Sequence, residues 1–212
     1  MNIASAATMV VGGPGDPGNG ECPSFGCGVQ FQQIYDASLF PSAISITGLT
    51  FYNQNWSPGS IASANYTIHL STTSTAIDGM SLAFADNVGP NNTLFFGGAL
   101  GGLIGPSNEF TITGTPFAYD PTQGNLIISI TSDGPGDLDT VFLDFASSNP
   151  SNLFTRSFSF GSGPEADTIT PNEGLVTGFV YATGTEVPEP GSAWLMLGGA
   201  AALIGLARKR IR

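Results

Sequence analysis

The chain is short of charge, and above all of positive charge. Charged residues make up 10 % of the 212, and only five are Lys or Arg against 16 Asp and Glu, for a formal net charge of −11. Four of the five cations are Arg208, Lys209, Arg210 and Arg212, which leaves Arg156 as the one Lys or Arg in the first 207 residues. A surface of that kind repels polyphosphate, so nucleic acid is not an expected partner. With one His and two Cys, no Cys/His metal array can be assembled. The P-loop and the dinucleotide fingerprint are missing, and so is the Gly-x-Ser-x-Gly elbow that would point to a Ser-His-Asp hydrolase. Residues 1–7 contain neither a basic n-region nor an apolar h-region, so no secretory leader is present as written. Ala4-Ser5-Ala6 has the small-x-small form that precedes signal-peptidase cleavage, so the given start is expected to lie inside a longer leader; a small-residue run without meaning is the alternative.

What the chain has in abundance is turn chemistry between short apolar alternations. Gly occurs 29 times and Pro 15 times. From residue 29 onward the pattern reads as strand after strand. Ile44 and Ile46 alternate, the phase slips near Gly48, and Leu49 and Phe51 resume it, which predicts a strand with a bulge. Tyr66, Ile68 and Leu70 point one way, Asn65, Thr67 and His69 the other. Further strands are expected near 93–96, 110–113, 125–131, 141–145, 154–160 and 175–183, separated by turns such as Asp78-Gly79 and Asp120-Pro121. With no helix expected before residue 191, the fold class is all-β. It is read as an antiparallel β-sandwich, jelly-roll-like, over 29–183 and followed by a single C-terminal transmembrane helix. Residues 1–28 read as the end of a leader plus an irregular Gly/Pro-rich segment, and 184–190 as a linker.

Candidate sites within the sandwich are few. Cys22 and Cys27 enclose four residues and would close a small disulfide loop in an oxidising compartment; free thiols or half of a metal ligand set are the alternatives. Asp133, Asp137 and Asp139, with Asp144 beyond them, offer oxygen ligands in a Gly-rich loop that suits a structural Ca²⁺, although without EF-hand spacing; a solvated acidic turn is the plainer reading. No other cofactor is expected. His69 reads as a surface strand residue. Tyr52, Trp56 and Tyr119 would form a carbohydrate-binding platform if they lined one exposed sheet face, and are otherwise core or turn residues. Two of the 16 acids could meet as a glycan-hydrolase pair, but nothing selects them.

The last 26 residues carry the clearest message. Val187-Pro188-Glu189-Pro190 leads into an uncharged apolar run, Gly191 to Ala207, that stops at the basic cluster. Two prolines around a Glu hold the backbone extended and withhold donors, which keeps this segment accessible to a protease groove. The 17 residues span roughly 25 Å as a helix, slightly less than a hydrocarbon core of about 30 Å. Trp194 suits the lipid–water interface, and Arg208, Lys209, Arg210 and Arg212 suit the cytoplasmic side, where they can snorkel; a buried core helix is the alternative. This order of features at the extreme C-terminus resembles the PEP-CTERM sorting signal of Gram-negative bacteria that make extracellular polysaccharide. The resemblance implies an exported substrate of an exosortase, recognised at Pro188-Glu189-Pro190, anchored in the membrane before sorting and afterwards at the cell surface or outside the cell. Gln33–Phe40, Tyr66–Thr73 and Phe117–Leu126 resemble phrases of passenger domains that carry this signal. The expected role is therefore that of a non-enzymatic surface or matrix protein associated with exopolysaccharide or biofilm. A carbohydrate-binding module and, behind it, a two-carboxylate glycan hydrolase are the other readings.

Overall fold

The computed structural model describes residues 6–12, 25, 28–53, 58–105, 108–134, 141–147 and 152–183. Twelve strands account for most of them: β1 (Ala6–Val11), β2 (Gln30–Tyr35), β3 (Ile44–Asn53), β4 (Gly59–Thr73), β5 (Thr93–Ile104), β6 (Asn108–Tyr119), β7 (Asn125–Ser132), β8 (Phe145–Ala146), β9 (Phe154–Ser159), β10 (Thr168–Pro171), β11 (Gly174–Leu175) and β12 (Thr177–Thr183). They form a four-stranded sheet in the order β1-β12-β3-β6, a six-stranded sheet in the order β10-β9-β2-β7-β4-β5, and a β11-β8 ribbon. Every strand pair is antiparallel. The apolar faces of the two large sheets meet in one core, in which Ile46, Leu49, Phe51 and Phe179 from one sheet face Tyr35, Ile68, Leu70 and Ile128 from the other. This is the antiparallel sandwich that the alternation implies. No helix among the described residues is long and apolar enough to cross a membrane; the expected transmembrane segment, 191–212, lies outside the described residues.

The bulge at Gly48 is present. Val180 faces Gly48 and Tyr181 faces Ile46, so Thr47 is the extra residue, and its hydroxyl donates to the Val180 carbonyl at 3.2 Å. On the other side the register jumps from Phe117 to Thr113, and the skipped stretch contains Pro116. A proline is tolerated there because β6 is the edge of its sheet and owes no outward hydrogen bond.

Several elements differ from the expectation. Ala6–Val11, which the sequence places in an irregular segment, forms β1 and pairs with β12 from Ala6↔Ala182 to Val11↔Thr177. Its AATMVV sequence shows no alternation because five of the six side chains are exposed or half-buried on an edge strand. The strand expected over 141–145 is broken: Phe142 forms an isolated bridge and Phe145 begins the two-residue β8, and the stretch 175–183 divides at Val176 into β11 and β12. Phe25, within the Gly/Pro-rich segment, is buried with its ring edge-on to Phe51 at 4.9 Å and to Tyr66 at 5.7 Å, which joins the two sheets at one end of the core.

The six-stranded sheet is covered on both faces. Residues 74–92 cross its outer surface, and Ile77 and Met80 pack there with Ile34, Ile127 and Ile169 in a second apolar cluster. Asn87, fully buried, fixes this strap: it donates to Gln32 Oε1 at 3.0 Å and to the Ser81 carbonyl at 2.8 Å, and accepts from the Ser81 amide at 2.7 Å. Gln32 in turn donates to the Phe84 carbonyl at 3.0 Å. A fully paired polar cluster of this kind holds the strap in one position, because slippage would leave buried amides without partners. The strap returns past β4 at Gly89, where a Cβ would stand 1.6 Å from the Thr72 carbonyl oxygen; no other residue fits there.

Candidate functional site

Two places could serve function: the end of the sandwich from which the C-terminal tail leaves, and a cavity on the strapped face.

The tail follows Thr183, the last residue of β12. This strand lies inside its sheet, bonded to β3 as far as Thr183 and to β1 from Thr177 to Ala182. Its central side chain, Phe179, is fully buried, edge-on to Tyr35 at 5.1 Å and to Phe40 at 5.4 Å. The Tyr35 and Thr177 hydroxyls share a 2.7 Å hydrogen bond. Any load on the tail therefore passes into a strand held on both edges and in the core. The strand β1 begins at the same end, where Ala6 stands opposite Ala182, so both ends of the sandwich leave it side by side. The sorting residues Val187, Pro188, Glu189 and Pro190, and the flanking Trp194, Arg208, Lys209, Arg210 and Arg212, lie outside the described residues.

Burial pushes the Tyr35 phenol far above its ordinary range, with the contacts to Thr177 and Gln33 opposing this in part; burial and the nearby Asp36 and Asp120 carboxylates do the same for Tyr119. Both are neutral in the folded chain. The folded state holds these protons more tightly than the unfolded one, so stability is fully present below the ordinary tyrosine pKa of about 10 and falls as pH rises beyond it. In an alkaline titration followed by tyrosinate absorbance, Tyr35 and Tyr119 are expected to ionise only together with unfolding. Early ionisation of Tyr35, identified by its loss in Tyr35→Phe, would contradict this.

The second place is built on β2, β7 and β4. The cross-strand pairs Gln32↔Ser129 and Ser129↔His69, and then His69↔Leu94 on β5, form one row across the outer face. As the alternation implies, His69 points away from Ile68 and Leu70. It is not an open surface residue, however, because the strap passes beside it. Phe84, Ala85, Val88 and Asn92 from the strap region and Gln30, His69, Ser129 and Thr131 from the sheet border a half-open cavity of about 210 Å³. Ser129 Oγ accepts from Gln32 at 3.0 Å, and Gln30 Nε2 donates to the Gly163 carbonyl. The His69 imidazole has no hydrogen-bond partner among the described residues. Among the described residues no carboxylate and no Lys or Arg lines the cavity, so it offers hydrogen-bonding groups beside an apolar wall.

The remaining candidates are placed as follows. Cys22, Cys27, Asp137, Asp139 and Trp56 lie outside the described residues. Asp133 is described, and both of its carboxylate oxygens accept from Asn65, at 2.7 Å from the amide and 2.8 Å from Nδ2. These bonds hold its carboxyl below the ordinary range. They also close a turn onto β4. Asp144 is buried, with its backbone bonded to Tyr52 and Val176. Among the described residues no three of His, Cys, Asp and Glu gather as metal ligands. Tyr52 and Tyr119 are core residues, 7 % and 1 % exposed, and the Tyr119 hydroxyl donates to the Gly124 carbonyl at 2.8 Å. These two are therefore the buried residues of the second reading and do not line an exposed sheet face: Tyr119 belongs to the main core, while Tyr52 alternates with Phe51 and lies beside Gly178 on the other face of β3. The residues that shape the cavity, Gln32, Phe84 and Asn87, were not legible as a set. The only trace in the sequence is a pair of amides, Gln32-Gln33, set between apolar residues.

Comparison with known proteins bears on the tail alone. Residues 186–211 match the PEP-CTERM protein-sorting motif. The chain therefore carries a C-terminal sorting signal of this kind, one that marks an exported protein for exosortase-type processing. The match covers about an eighth of the chain. No curated protein matches the chain.

Proposed function

We propose that this is an exported, non-enzymatic surface protein: its C-terminal signal anchors it in the membrane, an exosortase-type enzyme acts at Pro188-Glu189-Pro190, and the β-sandwich is then displayed at the cell surface or in the extracellular matrix in association with polysaccharide. The observation that carries the reading is the sorting motif at 186–211. The sandwich supports it in two ways. Its C-terminal strand is pinned on both edges and by Phe179, as a display domain held through its tail requires. The strapped-face cavity has no carboxylate or nucleophile–base pair about its single imidazole, which favours binding over catalysis.

The test is to express the chain in a host that has an exosortase and in the same host with that gene deleted. A shift to lower mass and appearance at the surface are expected in the first, with retention of the unprocessed form in the inner membrane in the second. Alanine at Pro188, Glu189 and Pro190 together should reproduce the deletion. Equal mass and equal location in both hosts would sink the sorting reading.

A further inference from the structure

We propose that the cavity over His69 is a binding site for a single neutral pyranose ring, the outermost unit of a glycan. The inference deepens the proposed association with polysaccharide and rests on it for its biological setting, although not for its chemistry.

The cavity combines two surfaces that a pyranose needs. Phe84, Ala85 and Val88 supply an apolar wall for the C–H face of the ring, and an aromatic is the side chain that suits such a face best. The same cavity is bordered by His69, whose imidazole has no partner among the described residues, and by Thr131 and Asn92, polar side chains for ring hydroxyls. The wall is preformed: the Phe84 carbonyl is tied to Gln32 and the strap to Asn87, so little ordering is left for a ligand to bring about. At about 210 Å³ the space is smaller than the roughly 300–1,000 Å³ of drug-sized sites, and it is open on one side. That suits one ring whose linkage leads outward.

Charge sets the class. A chain of formal charge −11, with no Lys or Arg in the lining, disfavours uronic acids and phosphorylated sugars. The nearest Arg in sequence terms, Arg156, belongs to the inner face, where it pairs with Glu173. With no carboxylate in the lining, a cation gains no charged ligand either.

Because His69 is the only histidine in the chain, its imidazole is a reporter for the site. Protein labelled with ¹⁵N in histidine would be titrated with glucose, galactose, mannose, N-acetylglucosamine and, as the anionic control, glucuronate. A saturable shift of the His69 signals by at least one neutral sugar in the millimolar range or tighter, and a several-fold weaker effect of glucuronate, is the expected result. Ala85→Trp, which fills the mouth from an exposed position, should abolish the shift, and Thr131→Ala should weaken it several-fold. Backbone spectra of both variants check that the fold is retained. No shift with any neutral sugar, a shift that persists in Ala85→Trp, or glucuronate binding as well as the neutral sugars would each overturn the proposal. Normal exosortase-dependent sorting without sugar binding would remove this site alone, and sugar binding without sorting would remove the sorting reading alone.

Discussion

Phe179→Ala is expected to lower the unfolding free energy by about 3–5 kcal/mol, the usual cost of emptying a fully buried phenylalanine site. Collapse would not relieve the site: Tyr35 and Phe40, its edge-on neighbours, are themselves buried, and Phe40 also meets Tyr119 at 4.9 Å. Against a total of about 5–15 kcal/mol for a domain of this size, such a loss leaves little margin. Urea denaturation should show a lower midpoint with an unchanged slope, which separates lost stability from a change in the unfolded state. There is a functional consequence as well. Phe179 sits at the centre of the strand that carries the tail, so the variant should be degraded during export, whereas Val10→Ala on the exposed edge strand should be tolerated. A midpoint within experimental error of the parent would show that β12 is not held through its core.

Arg156→Ala is expected to cost about 2–4 kcal/mol. Arg156 is the only Lys or Arg in the first 207 residues and is buried on the inner face of the six-stranded sheet. Its Nη2 lies 2.9 Å from Glu173 Oε2, and its guanidinium lies 5.2 Å from the Phe145 ring and 5.4 Å from that of Phe158. Breaking a buried pair typically costs about 3–5 kcal/mol; the lower figure here reflects Glu173, whose side chain is 27 % exposed and keeps part of its hydration. The pair itself is not expected to contribute a large net stability. Arg156→Met with Glu173→Gln, which retains the stem packing on the two rings, should recover most of the loss, and the four-member cycle isolates the coupling. If the double variant were as unstable as Arg156→Ala, the cation over the rings would be the dominant contribution.

Gln33 shows why such a position cannot be read from alternation. In QFQQIY it occupies the apolar face between Phe31 and Tyr35, and it is fully buried. Its amide accepts from the Leu175 N–H at 2.7 Å and donates to the Leu175 carbonyl at 3.0 Å, acting as a strand partner supplied by a side chain 142 residues away. Gly174 leaves room for this, since a Cβ there would lie 2.6 Å from the Gln33 amide. Gln32, facing the other way, is buried by the strap and bonded to Asn87. Both glutamines look like solvent positions until their distant partners are in place.

Elements whose signal is local are legible in the chain's own pattern: the slip at Gly48, the two-sided β4 with His69 opposite Ile68, most of the strand spans, and the sorting signal, which is contiguous and works as a linear address. It took long-range packing to make Ala6–Val11 a strand, to bury Tyr52, Tyr119 and Arg156, and to close a cavity over His69 with the strap. The reason is physical. Alternation separates the two faces of a strand, but burial depends on what later covers each face, and those covering groups come from far along the chain.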